Sequence, residues 1–168
     1  MGLYHVENLT PEAKAQGEAL IREGAPVYVI DDAELERVKA GYPCVWKDLG
    51  ASPKLCFVGC PHLTLGQLQS WTERLEKSLR ENGKTKVTVP TVFTAAPATI
   101  KEFQKTVYAK RLERTGVILS YICPLMYMNN PLSGKMPVIT CSNKLRTYTT
   151  ARYYTEDEIL NKITGGAC

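Results

Sequence analysis

The stretch LCFVGCPHLTL at residues 55–65 decides the fold, because it combines a buried strand, a sharp turn and a helix start. Residues 55–58 form a short, continuous apolar run, which is typical of a strand covered on both faces. Gly59 permits a sharp turn after that run. Thr64 and Gln67 have the spacing of a capping box, which predicts that a helix begins here.

Strand signals recur on both sides of this stretch. All are short runs rich in β-branched or aromatic residues, and they lie at residues 27–30, 55–58, 86–93, 117–121 and 138–140. They are too short and too apolar to be amphipathic helices, and their continuity indicates strands that are buried on both faces.

Helix signals alternate with these strands. Capping residues, prolines and glycines delimit helices from Pro11 to Gly24, from Asp31 to about Ala40, from Thr64 to Asn82, from Pro97 past Leu112, and from Thr155 to Gly165. In the fourth helix we expect Ile100, Phe103, Val107 and Leu112 on the buried side. The alternation predicts an α/β fold: residues 1–168 form one domain, a three-layer sandwich with a mostly parallel sheet of four to five strands flanked by helices.

Composition excludes several classes of protein. With 44% hydrophobic and 23% charged residues, the 168-residue chain is neither disordered nor collagen-like. The net charge of +4 is too small to indicate a nucleic-acid partner. No apolar run approaches the ~20 residues that span a bilayer, and the N-terminus lacks the pattern of a signal peptide. We therefore expect a cytoplasmic protein with no membrane and no nucleic-acid partner.

The six cysteines show no CxxC pair and no spacing typical of a zinc site. The simplest interpretation is that each cysteine is a small, buried hydrophobic residue. They are Cys44, Cys56, Cys60, Cys123, Cys141 and Cys168. If cysteines bind something here, the ligands come from distant segments. Disulfides are not expected in a cytoplasmic protein.

Three unusual segments follow predicted strands, at residues 59–62, 123–124 and 140–144. Ligands of open α/β sheets collect beyond the carboxyl ends of the strands, so these segments are candidate site residues. Cys60 lies shortly before a helix N-terminus, where a thiolate is favoured, and His62 is its neighbour. Cys123 repeats the Cys-Pro pattern at another strand end. Burial in a tight loop is the alternative for both cysteines.

The last of these segments places Ser142 two residues from Lys144. A serine close to a lysine can be a proton-transfer pair or can bind an anionic group of a substrate. Ordinary turn chemistry also explains a serine followed by an asparagine.

Four segments, in order, resemble motifs of the aconitase X family, a divergent branch of the aconitase superfamily. GCPHLTL at residues 59–65 resembles the family's GCPHLS motif, and YHVENLTPEA at residues 4–13 resembles its FHVxGxTPEA stretch. ICP at residues 122–124 falls where the family has Asp-Thr-Cys. TCSNK at residues 140–144, followed by Tyr148, resembles the family's Thr-Asn-Ser-x-Lys and its following aromatic residue.

The resemblance implies a hydro-lyase that dehydrates a small hydroxy acid, such as a hydroxyproline or a phosphomevalonate. It also implies an iron–sulfur cluster held by three cysteines, in which an incompletely ligated iron acts as a Lewis acid on the leaving hydroxyl. Carried over by position, Cys60 and Cys123 are cluster ligands, Ser142 is the catalytic base, and Lys144 contacts the substrate anion. His62 lies around the cluster or binds substrate. The implied partners are the N-terminal part of a large subunit and a small swivelling subunit or domain.

The chain also departs from the family. It resembles only the C-terminal portion of a large subunit more than twice its length, and the segment with the third cysteine is absent. Tyr121 and Ile122 replace an aspartate and a threonine before Cys123, and Cys141 replaces an asparagine beside Ser142. The chain is therefore an excised domain, one piece of a split enzyme, or a diverged remnant. Two cysteines do not hold the family's cluster, so we expect the isolated chain to be inactive.

Two alternatives belong to other functional classes. The first is a non-catalytic interaction or regulatory domain that kept the fold and lost the site, which the replaced residues Tyr121 and Ile122 favour. The second is a thiol-redox or small metal-binding module that uses Cys56, Cys60 and Cys141.

Overall fold

The structure is a computed structural model that describes residues 4–166. The chain divides into two compact units, of which the first ends at Gly41 and the second begins at Tyr42. Within residues 4–166, no helix is long and apolar enough to cross a membrane.

The first unit contains two short helices and no buried residue among those described. Helix α1 spans Pro11–Gln16 and is followed by a 3-10 turn at Gly17–Leu20. It ends before the predicted Gly24, because Gly17 adopts a φ of 55° and breaks the α-helical path. Helix α2 spans Asp32–Ala40, and the Asp31 carboxylate accepts a hydrogen bond from the Glu34 amide at 2.8 Å, as its capping pattern predicts.

The prediction of a strand at residues 27–30 is wrong. The segment belongs to no helix or strand, and no described residue pairs with its backbone. Its four side chains are between 68% and 88% exposed. A strand requires a neighbour for its ladder, and residues 4–41 offer none.

The second unit contains a five-stranded sheet in the order β3-β2-β1-β4-β5, and each neighbouring pair is parallel. The strands span Leu55–Leu63 (β1), Thr91–Ala95 (β2), Ile118–Ser120 (β3), Val138–Thr140 (β4) and Arg152–Tyr153 (β5). The parallel sheet confirms the predicted α/β class. Strand β5 was not predicted from the sequence, because its two residues are too few to form an apolar run.

Helices cover both faces of this sheet. They span Leu65–Glu81 (α3), Pro97–Phe103 (α4), Val107–Arg114 (α5), Pro124–Met128 (α6), Asn143–Tyr148 (α7) and Glu156–Thr164 (α8). Helices α3, α4, α5 and α8 pack on the face that carries Cys56 and Val58. Helices α6 and α7 pack on the opposite face, which carries Phe57. This alternation along β1 confirms three layers.

Two further boundaries differ from the prediction. The helix expected from Pro97 past Leu112 is interrupted between α4 and α5, and Val107, expected on the buried side, is 72% exposed. The strand expected at residues 86–93 begins only at Thr91. Before it, the Val87 amide donates to Thr115 and the Thr88 amide donates to Ile163, so both bond the ends of helical segments rather than a strand.

Candidate active site at the carboxyl edge of the sheet

The strand order reverses at β1, with β2 and β3 on one side and β4 and β5 on the other. A crevice forms at such a reversal, beyond the carboxyl ends of the strands. Cys60 lies near the carboxyl end of β1, and Ser142 follows the neighbouring strand β4. Cys123 follows β3, which is two strand spacings, about 10 Å, from β1. The parallel sheet thus brings the three predicted segments to one edge.

The Cys60 segment forms an irregular bulge within β1. Val58 pairs with Phe93 and Leu63 pairs with Ala95, so four residues, 59–62, stand against the single residue Thr94. The strand therefore continues beyond the end predicted at residue 58. The peptide bond between Cys60 and Pro61 is cis.

Gly59 begins the bulge and lies directly against β2. Its φ is 110°, and a Cβ atom there would lie 2.4 Å from the Thr94 carbonyl oxygen and 2.6 Å from Thr94 Oγ1. The buried Thr94 hydroxyl donates a hydrogen bond to the Gly59 carbonyl. Only glycine fits this conformation and this contact.

The Cys60 side chain is 9% exposed and packs in the apolar cluster that contains Phe57, Met128 and Leu145. This cluster belongs to the α6 and α7 face of the sheet. Helix α3, whose N-terminus the sequence placed close to this thiol, packs in the cluster on the other face. The immediate surroundings of Cys60 are therefore apolar, together with the hydrogen-bonded backbone of its own bulge.

Ser142 touches the Cys60 segment directly. Its hydroxyl donates to the Cys60 carbonyl and accepts from the Leu145 amide at 3.0 Å, which makes it the N-cap of α7. Ser142 is 6% exposed. Its hydroxyl thus joins the bulge of β1 to the start of α7, which follows the neighbouring strand β4.

The other predicted site residues stand apart from this contact. Lys144 and His62 are exposed, and Cys123 is half-buried as the residue that precedes α6. Among residues 4–166, neither a hydrogen bond nor an ion pair joins any of them to Cys60 or Ser142.

The described residues do not complete a metal site. Thiols are the right donors for an iron–sulfur cluster, and two of them, Cys60 and Cys123, belong to this edge. Within residues 4–166, however, no group of three His, Cys, Asp or Glu side chains is placed to hold a metal ion. The two thiols are therefore suitable donors for an iron–sulfur cluster, but the described residues do not bring three donors together.

Cys141 and Cys56 are held as neutral thiols. Burial raises the pKa of Cys141 from 9.0 to about 11, with a further contribution from the charge of Glu156. Burial also raises the pKa of Cys56, to which the nearby Cys141 adds. The thiolate is the reactive form of cysteine, so these two residues are poor nucleophiles and do not favour the thiol-redox alternative.

Two features of the edge were missed by sequence reasoning. Thr94 fixes the Gly59 bulge. The only hint of this role in the sequence is that Thr94 is a polar residue inside an apolar strand. The Arg146 guanidinium lies 3.7 Å from the centre of the Tyr42 ring and donates to the Asn143 side chain at 2.9 Å. It places a second cation on α7, two residues from Lys144.

Two clefts of the second unit are lined by other residues. One, of about 600 Å³, is lined by Leu125, Met128 and Tyr148, among others. The other, of about 530 Å³, includes Trp46 and Lys135. Neither is lined by a predicted site residue.

Comparison with known proteins shows the family. The family model for the aconitase X third domain matches residues 53–159. The chain belongs to the aconitase X family.

Individual relatives agree with this assignment. The large subunit of phosphomevalonate dehydratase from Methanosarcina mazei is 24% identical over 173 residues, which cover 99% of this chain and 38% of that protein. The crystal structure of Thermococcus kodakaraensis aconitase X in its holo-form shares the fold, with a TM-score of 0.62 and 20% identity over 81% of this chain and 34% of that one. The chain thus spans less than two fifths of each relative and corresponds to the C-terminal portion of the aconitase X large subunit.

Replacing Gly59 should test the tight contact with Thr94. We expect Gly59→Ala to lower the free energy of unfolding by roughly 3–5 kcal/mol, because the new Cβ overlaps backbone and the φ is unfavourable for alanine. The matched control is Gly66→Ala in α3, where a Cβ meets nothing within 4 Å and should stabilise by about 0.5–1 kcal/mol. Urea unfolding measures both, and equal stability of Gly59→Ala and wild type would contradict the contact.

The Cys141 thiol should make stability depend on alkaline pH. Because its pKa is raised on folding, it contributes stability that is fully present below about pH 9 and is lost as the pH rises through about 11. Between about pH 8 and pH 10, wild type should lose about 1 kcal/mol more than Cys141→Ala in denaturant unfolding. Parallel pH curves for the two proteins would contradict the burial of this thiol.

Proposed function

We propose that the chain is the C-terminal part of an aconitase X-type hydro-lyase, which dehydrates a small hydroxy acid related to a hydroxyproline or a phosphomevalonate. The observation that carries this proposal is the direct hydrogen bond from Ser142 to the Cys60 segment at the strand-order reversal. The M. mazei relative, a phosphomevalonate dehydratase large subunit, supports a dehydration reaction.

The site needs a second polypeptide segment. In our proposal Cys60 and Cys123 provide two thiolate ligands, and the N-terminal part of the large subunit provides the third. When bound, the iron–sulfur cluster would supply a Lewis acid for the departing hydroxyl. The carboxyl edge, with the exposed Lys144 and the half-buried Arg146 on α7, is the surface that this N-terminal part would cover.

Ser142 is proposed as the base that removes the substrate proton. Its oxygen already accepts the Leu145 amide, and a hydrogen bond to the charged form of a group favours that form. Its own proton points to the Cys60 carbonyl, which accepts the hydrogen bond but cannot take the proton. Ser142 would therefore act as the base only after it has lost this proton to solvent, and its alkoxide would then take the proton from the substrate carbon. Lys144 would bind the carboxylate or phosphate of the substrate, and His62 would contact substrate or the surroundings of the cluster.

The proposed partners are that N-terminal part and a small swivelling subunit or domain. The M. mazei relative is a large subunit, which supports a smaller companion. We propose that the assembled enzyme is cytoplasmic.

A second candidate function is a non-catalytic interaction domain of the same fold. Tyr121 and Ile122, which precede Cys123, are 64% and 40% exposed. Apolar side chains at this position favour contact with another protein over contact with a charged substrate. This candidate predicts assembly with the partners without iron and without dehydration.

Iron content distinguishes the two functions. The chain is co-purified with the N-terminal part and the small subunit encoded in the same genome, and iron, sulfide and dehydration of cis-3-hydroxy-L-proline and mevalonate 5-phosphate are measured. We expect Cys60→Ser and Cys123→Ser to reduce bound iron to background, because each removes a thiolate ligand. The control Cys44→Ser changes a half-buried cysteine outside the edge and should retain iron. Full iron content in Cys60→Ser would refute the ligand assignment.

The role of Ser142 is tested in the same complex. We expect Ser142→Ala to lower the dehydration rate by roughly 10²–10⁴-fold while iron content is unchanged. Because alanine also removes the α7 cap, Ser142→Asn is the control, since asparagine can cap the helix but cannot act as the base. Activity in Ser142→Asn close to that of wild type would exclude a role as base.

A further inference from the structure

The first unit exposes an apolar strand-like segment. Residues 27–30 are Val-Tyr-Val-Ile, and their side chains are 88%, 69%, 70% and 68% exposed. They belong to no helix or strand, and among residues 4–166 none of their amides or carbonyls has a backbone partner. Such a segment offers both a hydrogen-bonding edge and apolar side chains to another chain.

Helix α2 continues the apolar surface. Leu35 and Val38 lie three residues apart, on one side of the helix, and are 56% and 41% exposed. The Tyr28 hydroxyl donates to the Glu34 carboxylate, which also pairs with Arg37. These contacts hold this segment beside the helix that follows it, so the two present one surface.

The distribution of apolar side chains on this surface indicates which kind of partner would bind it. If residues 27–30 formed a strand, Tyr28 and Ile30 would point to one side of it, and Val27 and Val29 would point to the other. Strands that are apolar on both sides belong inside parallel sheets covered by helices on both faces. A strand followed by a capped helix is also the repeating unit of such sheets, as β1 and α3 show in the second unit. The surface fits the open edge of another α/β sheet.

The comparisons indicate where that sheet resides. The aconitase X third domain matches only from residue 53, so residues 4–41 lie outside it. The alignment with the M. mazei large subunit nevertheless includes 99% of this chain and leaves 62% of that protein unmatched. The first unit therefore belongs with a part of the large subunit that precedes the third domain.

We propose that residues 27–30 add as a strand to a parallel sheet in the N-terminal part of the aconitase X large subunit, and that Leu35 and Val38 pack against that sheet. This inference rests on the proposed function, which requires that part to complete the site. It assigns the assembly contact to the first unit, separately from the residues of the carboxyl edge.

The test uses the full chain and, as probe, the purified polypeptide from the same genome that matches the N-terminal portion of the large subunit. The double variant Val27→Lys and Val29→Lys should weaken binding in calorimetry by roughly 100-fold, because it removes two buried contacts from the interface. The control Glu23→Lys makes the same change of +2 in net charge at an exposed position and should bind like wild type. Both valines are exposed in the chain alone, so its thermal unfolding should be unchanged.

Hydrogen exchange supplies the second readout. Amides 27–30 should exchange rapidly in the chain alone and become protected in the complex. The proposal is overturned if the probe does not bind, if the double valine variant binds as Glu23→Lys does, or if these amides are protected in a homodimer without the probe.

The outcomes separate this inference from the proposed function. A complex that depends on Val27 and Val29 but holds no iron and dehydrates neither compound would retain the interface and refute the function. An iron-containing, active complex formed equally well by the double valine variant would retain the function and refute the interface.

Discussion

The close approach of Gly59 to Thr94 is the contact on which the carboxyl edge depends. Without a Cβ atom, the β1 backbone leaves its ladder while it remains against β2, and the Thr94 hydroxyl holds the departing carbonyl. The residues that follow therefore bulge over the end of the sheet before β1 pairs again at Leu63. Cys60 consequently packs on the α6 and α7 face, and its carbonyl meets Ser142.

This arrangement explains why the edge is a partial site. The parallel sheet gathers residues from β1, β3 and β4, but among the predicted site residues within 4–166 only Cys60 and Ser142 are joined by a hydrogen bond. Lys144 and His62 are exposed, and within residues 4–166 no three donor side chains are placed together to hold a metal. The chain spans less than two fifths of its relatives, and in the proposed enzyme the opposing wall belongs to the rest of the large subunit.

The features that could be predicted from sequence are those set by local chemistry. The capping boxes of Thr64 and Thr155 define where α3 and α8 begin, because each is satisfied within four residues. The contact between Ser142 and the Cys60 carbonyl joins residues 82 positions apart, so no local sequence pattern predicts it. The segment at residues 27–30 has the composition of a strand, but a strand also requires a neighbour, and the described chain contains none for it.

Because Cys56 and Cys141 are buried, their thiols resist oxidation by peroxide and oxygen. Peroxide attacks the thiolate, and with a pKa of about 11 only roughly one Cys141 side chain in ten thousand is ionised at neutral pH. Core cysteines protected in this way stay reduced while more accessible sulfur, such as that of the half-buried Cys123, is consumed first. Chemical damage would therefore begin at the rim of the sheet and leave its interior packing intact.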